Sequence, residues 1–267
     1  MTMGKAIRDK TGYAVNPSLV EYQWQLSGGW NPSDVEDTDR LTKHFFNLMF
    51  LADTLQTQAP ELTGTHGTIL LSPDLLGFIG NTNRQADVEA LKINVNQAVA
   101  QASCMMTKQV DFSQEPSCTY AWDKQQITLN GTVRDLMPWL KAKTDNYTAG
   151  MAFADCVGGA VVAKCTNAVA PAGTPTFSNN FNGWIQAQNY LAKKYGPQVN
   201  LGWHENISGA PGGGWWVHGG ANAVTPYANA VLADLKRFEV FSGKYKPDFI
   251  YLDRYGADDY VGQMPSF

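Results

Sequence analysis

Charge is scarce in this chain: only 16% of its 267 residues are Asp, Glu, Lys or Arg, and the formal net charge is −4. Without a basic stripe to follow a phosphate backbone, nucleic acid is not an expected partner. Long hydrophobic runs are missing too. No apolar stretch approaches the ~20 residues that cross a bilayer, so no membrane partner is expected. Residues 1–5 carry no apolar leader, which leaves either an intracellular chain or an exported one whose leader has been removed. Cysteine is limited to 4 residues, and none has zinc-ligand spacing. They fall as two local pairs, Cys104 with Cys118 and Cys156 with Cys165, in polar, loop-like surroundings. Pairing within each is expected, and that favours a secreted or periplasmic setting over a reducing one. The glycines at 212–214 are followed by neither a lysine nor a helix start at the offset of a phosphate loop. They read as a flap, and no cofactor is expected.

What the chain does have is aromatic surface and a repeated alternation. Aromatics make up 12%, with 8 Trp and 11 Tyr. Runs of β-type sequence at 19–26, 68–71, 147–153, 199–203 and 247–253 alternate with helical stripes at 34–55, 86–106, 133–144, 184–195 and 226–241. In the first helix Ser33 is placed as a cap, Asp34, Glu36 and Asp37 suit the positive end, and Leu41, Phe45, Leu48, Ala52 and Leu55 form the apolar face. His44 lies beside that stripe and reads as structural. The segment at about 107–130 is polar and irregular, an insertion stapled by the first cysteine pair. Strand–helix alternation over 1–267 predicts one α/β domain of the (β/α)8 TIM-like barrel class. Five strands are legible where a closed barrel has eight, so the barrel is expected to be incomplete or distorted.

Carboxylates recur where the strands stop. Asp74 follows 68–71, Asp155 follows 147–153, Glu205 follows 199–203, and Asp253 ends 247–253. In a barrel of this class the loops after the strands carry the chemistry. Hydrolysis of a glycosidic bond uses two carboxyl groups, one protonated to assist departure and one ionised. Glu205, between His204 and Asn206 and close to Trp203, Trp215 and Trp216, is the expected acid, because exclusion of water would raise its pKa. Asp253 beside Arg254 is the expected ionised partner, with Asp74 and Asp155 in reserve. The three Trp faces suit stacking on a sugar ring, and His204, Asn206, His218, Arg254 and Tyr255 are placed to bind its hydroxyls. The expected partner is therefore a carbohydrate, acted on by a monomer.

Two alternatives stand beside this reading. One is a barrel that binds polysaccharide without catalysis, or serves structurally. The other is a metal-dependent carbohydrate hydrolase or deacetylase that uses His204, His218 and Asp253 as ligands and Glu205 as base, although their spacing fits no ligand signature. Asn130, Asn146 and Asn206 each begin an N-glycosylation pattern.

The motifs Ser-Pro-Asp-Leu-Leu-Gly at 72–77, Gly-Trp-His-Glu-Asn at 202–206 and Pro-Asp-Phe-Ile-Tyr-Leu-Asp-Arg-Tyr at 247–255 together resemble secreted bacterial glycoside-hydrolase-type barrels. Residues 69–77 resemble the Glu-Pro-Asp strand of family 6 cellulases, with Ser72 standing where that family has its glutamate. That family's other signatures are absent. The resemblance implies a (β/α) barrel and carbohydrate hydrolysis, and it assigns no individual role.

Overall fold

In a computed structural model the residues described are 2–22, 32–107, 118–121, 126–129, 132–135, 165–206 and 221–253. They contain seven strands: β1 (Ser18–Glu21), β2 (Thr68–Leu71), β3 (Cys118–Ala121), β4 (Gln126–Leu129), β5 (Thr132–Asp135), β6 (Asn200–Asn206) and β7 (Phe249–Asp253). Eight helices accompany them: α1 (Thr2–Thr11), α2 (Ser33–Glu36), α3 (Thr38–Thr63), α4 (Leu75–Asn81), α5 (Gln85–Glu89), α6 (Val95–Thr107), α7 (Phe181–Tyr195) and α8 (Ala221–Arg237). The chain forms two compact units, one of residues 1–38, 48–95 and 176–267, the other of residues 39–47 and 96–175. Among the described residues no helix is long and apolar enough to cross a membrane.

The first unit is built on a parallel sheet in the order β1-β2-β6-β7. Among the described residues this order follows the chain without reversal and shows no topological switch point. These are four of the five strands expected; the fifth, at 147–153, lies outside the described residues. The class is mixed α/β, and the described residues contribute four strands of the eight a closed barrel would have. Because side chains alternate along a strand, the pairing of Leu71 with Trp203 and of Trp203 with Ile250 sets one face of the sheet. Ile69, Leu71, Leu201 and Trp203 on that face are fully buried. The opposite face carries Gly202, His204, Phe249 and Tyr251. Gly202 leaves room there for the Phe249 ring, which would have to shift if a Cβ stood 2.4 Å from it. At the start of β6 and β7, Leu201 N–H donates to the Asp248 carboxylate at 2.7 Å while Asp248 N–H donates to Leu201 O at 2.7 Å, and Lys193 pairs with the same carboxylate. These bonds fix the register that places every later residue of the two strands.

α7 follows the usual logic of a capped amphipathic helix. The Asn180 side chain accepts from Gly183 N–H at its start, Lys193 and Lys194 lie in its last turn, and Phe181, Trp184, Ile185 and Leu191 are buried. Two expected helices are interrupted. The run from Asp34 breaks into α2 and a 26-residue α3. The run 86–106 splits into α5 and α6, because Leu91 and Ile93 turn into the core and the backbone donors of Lys92 and Ile93 go to Glu36 Oε1 and Asn179 O. Tertiary burial overrides local helix preference at that point.

The second unit holds an antiparallel sheet in the order β3-β4-β5. This corrects two expectations. The stretch at 107–130 contains β3 and β4, and the helix expected from residue 133 begins as β5. The signal was present: Leu129 pairs with Thr132 around Asn130-Gly131, the dipeptide of a two-residue hairpin, between strands containing Ile127, Thr128 and Val133. The cysteine pairing is corrected as well. Cys104 bonds Cys165, 61 residues away, which excludes the pairs Cys104 with Cys118 and Cys156 with Cys165. Cys104 lies near the end of α6, and Gln97 and Gln101 of the same helix donate to Thr166 O beside Cys165. Contacts across the fold, rather than closeness in sequence, bring the two sulfurs together. Closing a loop of that length stabilises by about 4 kcal/mol on the chain-entropy account.

Candidate functional site

β6 presents three consecutive side chains with three different surroundings. Trp203 is fully buried, its Nε1–H donates to Asn189 Oδ1 at 2.8 Å, and its ring meets Trp184 edge-on at 5.9 Å. It is therefore a core residue with a satisfied polar handle. That corrects the expectation of a sugar-stacking face at this position.

Glu205, on the same face and one pleat further on, is 4% exposed. Burial, reinforced by the negative charge of Asp234, pushes its carboxyl up to about 8 from an ordinary 4.5. A carboxylate taken out of water without a cation to meet it keeps its proton instead. The raised proton affinity agrees with the sequence-based expectation for an acid. Its causes are burial and a second carboxylate.

That second carboxylate sits on α8. Gln85 of α5 donates to Asp234 Oδ2 at 3.1 Å, and a methyl group at Gly80 of α4 would lie 3.0 Å from the same oxygen. Tyr227, two turns earlier on α8, has its phenol pushed up to about 12 by burial and then by the charge of Glu205. Glu205, Asp234, Tyr227 and Gln85 thus form one cluster between the end of β6 and the helices that pack on it. Asp234 and Tyr227 carry no strand-end signal. Their signal was helical: residues 227, 231 and 234 fall on one face of α8, and Phe238, just past its end, bonds back through its N–H to Asp234 O at 2.9 Å.

His204 points to the other face. It is 4% exposed and stacks on Tyr251 with centroids 5.5 Å and planes 27° apart. Its Nδ1 accepts the backbone N–H of Asp74 at 3.2 Å. A ring nitrogen that accepts carries no hydrogen, so in this contact the ring's N–H is on Nε2. Asp74 makes that contact from a left-handed backbone, φ 67°, in a turn whose Ser72 is also left-handed at φ 44°. Ser72 is buried, and its Oγ has no hydrogen-bond partner among the described residues. Two non-glycine residues in this conformation around Pro73 make the β2–α4 turn strained. Of the four expected acids, Asp74 is therefore placed beside His204, through its backbone.

Asp253 ends β7, paired with Asn206 at the end of β6. Since Leu252 is the partner of Glu205, the positions of Glu205 and Asp253 fall on opposite faces of the sheet. The register does not bring them together as the expected acid and ionised partner. Asp155, Trp215, Trp216, His218, Arg254 and Tyr255 lie outside the described residues, as do the glycines 212–214 and Cys156. Among the described residues no group of three or more His, Cys, Asp or Glu could hold a metal ion. The chain matches no protein-family model, no curated protein and no solved structure.

Proposed function

We propose that this chain is a glycoside hydrolase in which Glu205 protonates the departing oxygen, and that its four parallel strands form one arc of a (β/α)8 barrel. The observation that carries the proposal is a carboxyl group at the C-terminal end of a parallel strand, held protonated to about pH 8 beside a second carboxylate. A general acid works best when it keeps its proton at the operating pH and gives it up only to the substrate. Asp234 takes over from Asp253 as the ionised member of the pair, because its negative charge is the one that acts on Glu205. A chain-ordered parallel sheet is the arrangement a barrel requires, and a disulfide suits an exported protein. The enzyme is proposed to act as a secreted or periplasmic monomer.

The 4% exposure of Glu205 favours a second reading, a domain that binds polysaccharide without cleaving it. The metal-dependent reading draws no support from His204, whose Nδ1 is already engaged by Asp74. Release of reducing ends from a panel of plant, fungal and bacterial polysaccharides separates hydrolase from binder. The hydrolase reading expects turnover that falls by ~100-fold or more in Glu205→Gln, the range lost with a general acid, while affinity persists. Binding without turnover in the unaltered protein would establish the second reading.

A further inference from the structure

The short helix α5 meets α8 at two positions and treats the two opposite charges of α8 differently. Gln85 Nε2 donates to both oxygens of Asp234, at 3.1 and 3.4 Å. One turn along α5, Glu89 takes Arg237, whose Nε and one terminal nitrogen bond its two oxygens, the second at 2.8 Å. Gln85 and Glu89 are spaced i, i+4 on α5, and Asp234 and Arg237 i, i+3 on α8, so each pair shares one helix face. Arg237 is therefore spaced to pair with Asp234 within α8, yet its guanidinium is turned to Glu89. That bond holds the Glu89 carboxyl below the ordinary carboxylate range and keeps it ionised. The other cations of these two segments are placed elsewhere. Arg84, just before α5, pairs with Asp87 at 3.0 Å, and Lys236, two residues from Asp234, falls on another side of α8. α4, which packs on both β6 and α8, has no charged residue, and its Gly80 leaves room for the Asp234 carboxylate.

A cation placed on Asp234 would cancel the negative charge that Glu205 meets, whereas an amide donor satisfies the carboxylate and leaves its charge in place. We infer that Gln85 and Glu89 are positioning residues for the proposed acid: Gln85 orients Asp234 with a donor that carries no charge, and Glu89 keeps Arg237 off it. Both act through Asp234. Glu205 then sits beside a carboxylate that no cation neutralises, which is the second cause, after burial, of its retained proton. Tyr227, the other titratable group of α8 beside Glu205, is neutral in this pH range, its phenol being pushed up to about 12. The use of this arrangement in catalysis rests on the reading of Glu205 as the acid of a glycoside hydrolase, but the sorting of charges between α5 and α8 is measurable without turnover.

NMR titration of the Glu205 carboxyl carbon tests it, in Glu89→Gln, Glu89→Asp and Gln85→Lys beside the unaltered protein, with thermal unfolding to show that each variant is folded. Release of Arg237 in Glu89→Gln is expected to lower the inflection by about 0.5 on the pH scale, the size that one half-exposed ion pair implies. Glu89→Asp keeps an anion for Arg237 and is expected to retain most of the original inflection. Gln85→Lys, which puts a cation on Asp234, is expected to lower it by at least as much as Glu89→Gln. In an Asp234→Asn background Glu89→Gln is expected to add nothing, because the residue it acts through no longer carries a charge. An unchanged inflection in folded Glu89→Gln or Gln85→Lys, or an equal lowering by Glu89→Gln when Asp234 is already replaced, overturns the inference and leaves the acid reading in place. Full turnover in Glu205→Gln together with the expected titrations would keep the charge sorting and remove the proposed acid.

Discussion

Trp203 and Glu205 on one side of β6, and His204 with its neighbour Tyr251 on the other, divide a single strand into two chemical environments. On the first side burial is nearly total: an indole is packed and hydrogen-bonded, and a carboxyl group one pleat along is forced to keep its proton. On the second side a buried imidazole supports a ring that is half open to solvent. Residues adjacent in sequence therefore answer to different physics. Polarity alone does not foretell which strand-end group meets the solvent, because the two-residue period of the pleat decides that first.

The contrast can be broken by experiment. The largest effect is expected from Glu205 through pH. Its folded pKa of about 8 lies above the ordinary 4.5, so the folded protein holds a proton that the unfolded chain releases. Stability linked to this group is fully present below pH 4.5 and is lost as pH rises to about 8, by at most about 5 kcal/mol. Urea denaturation of Glu205→Gln should show that component gone: the variant exceeds the unaltered protein in stability at pH 8 and approaches it at pH 4.5. Next comes Trp203→Ala, expected to cost about 3–5 kcal/mol as a buried aromatic truncation that also orphans Asn189. A smaller change is expected from Asp234→Asn, which removes the second cause of the Glu205 shift. In urea denaturation the pH range over which the Glu205-linked stability is lost should move to lower pH, since the acid then releases its proton more readily. The smallest effect belongs to Tyr251→Ala, expected to alter stability by only about 0.5 kcal/mol, as is usual for a partly exposed position. Equal stability losses for Trp203→Ala and Tyr251→Ala would dissolve the distinction between the two faces.

Much of the first unit was legible because its signals are local. The strands at 68–71, 199–203 and 247–253 are short β-rich runs with polar ends, and α7 is a capped amphipathic helix. The interruption at 90–94 was not legible, since it depends on Leu91 and Ile93 finding the core and on Glu36 and Asn179 supplying distant acceptors. The Cys104–Cys165 bond is likewise a property of the folded chain. The hairpin around Asn130-Gly131 could have been read, because both its turn dipeptide and its β-branched flanks are explicit. At the candidate site, the strand-end position of Glu205 is legible in the sequence, whereas Asp234 and Tyr227 lie in a helix and carry no strand-end signal. Trp203 shows the complementary case: an aromatic beside a carboxylate resembles a binding surface in sequence, but strand alternation turns it into the core.

The most direct measurement is the NMR titration of the Glu205 carboxyl carbon in selectively labelled protein, with and without Asp234→Asn. An inflection near pH 8 that moves to lower pH in the variant is the expected result. An inflection near 4.5 in both proteins would mean that Glu205 is an ordinary solvated carboxylate, and the proposed acid would be lost.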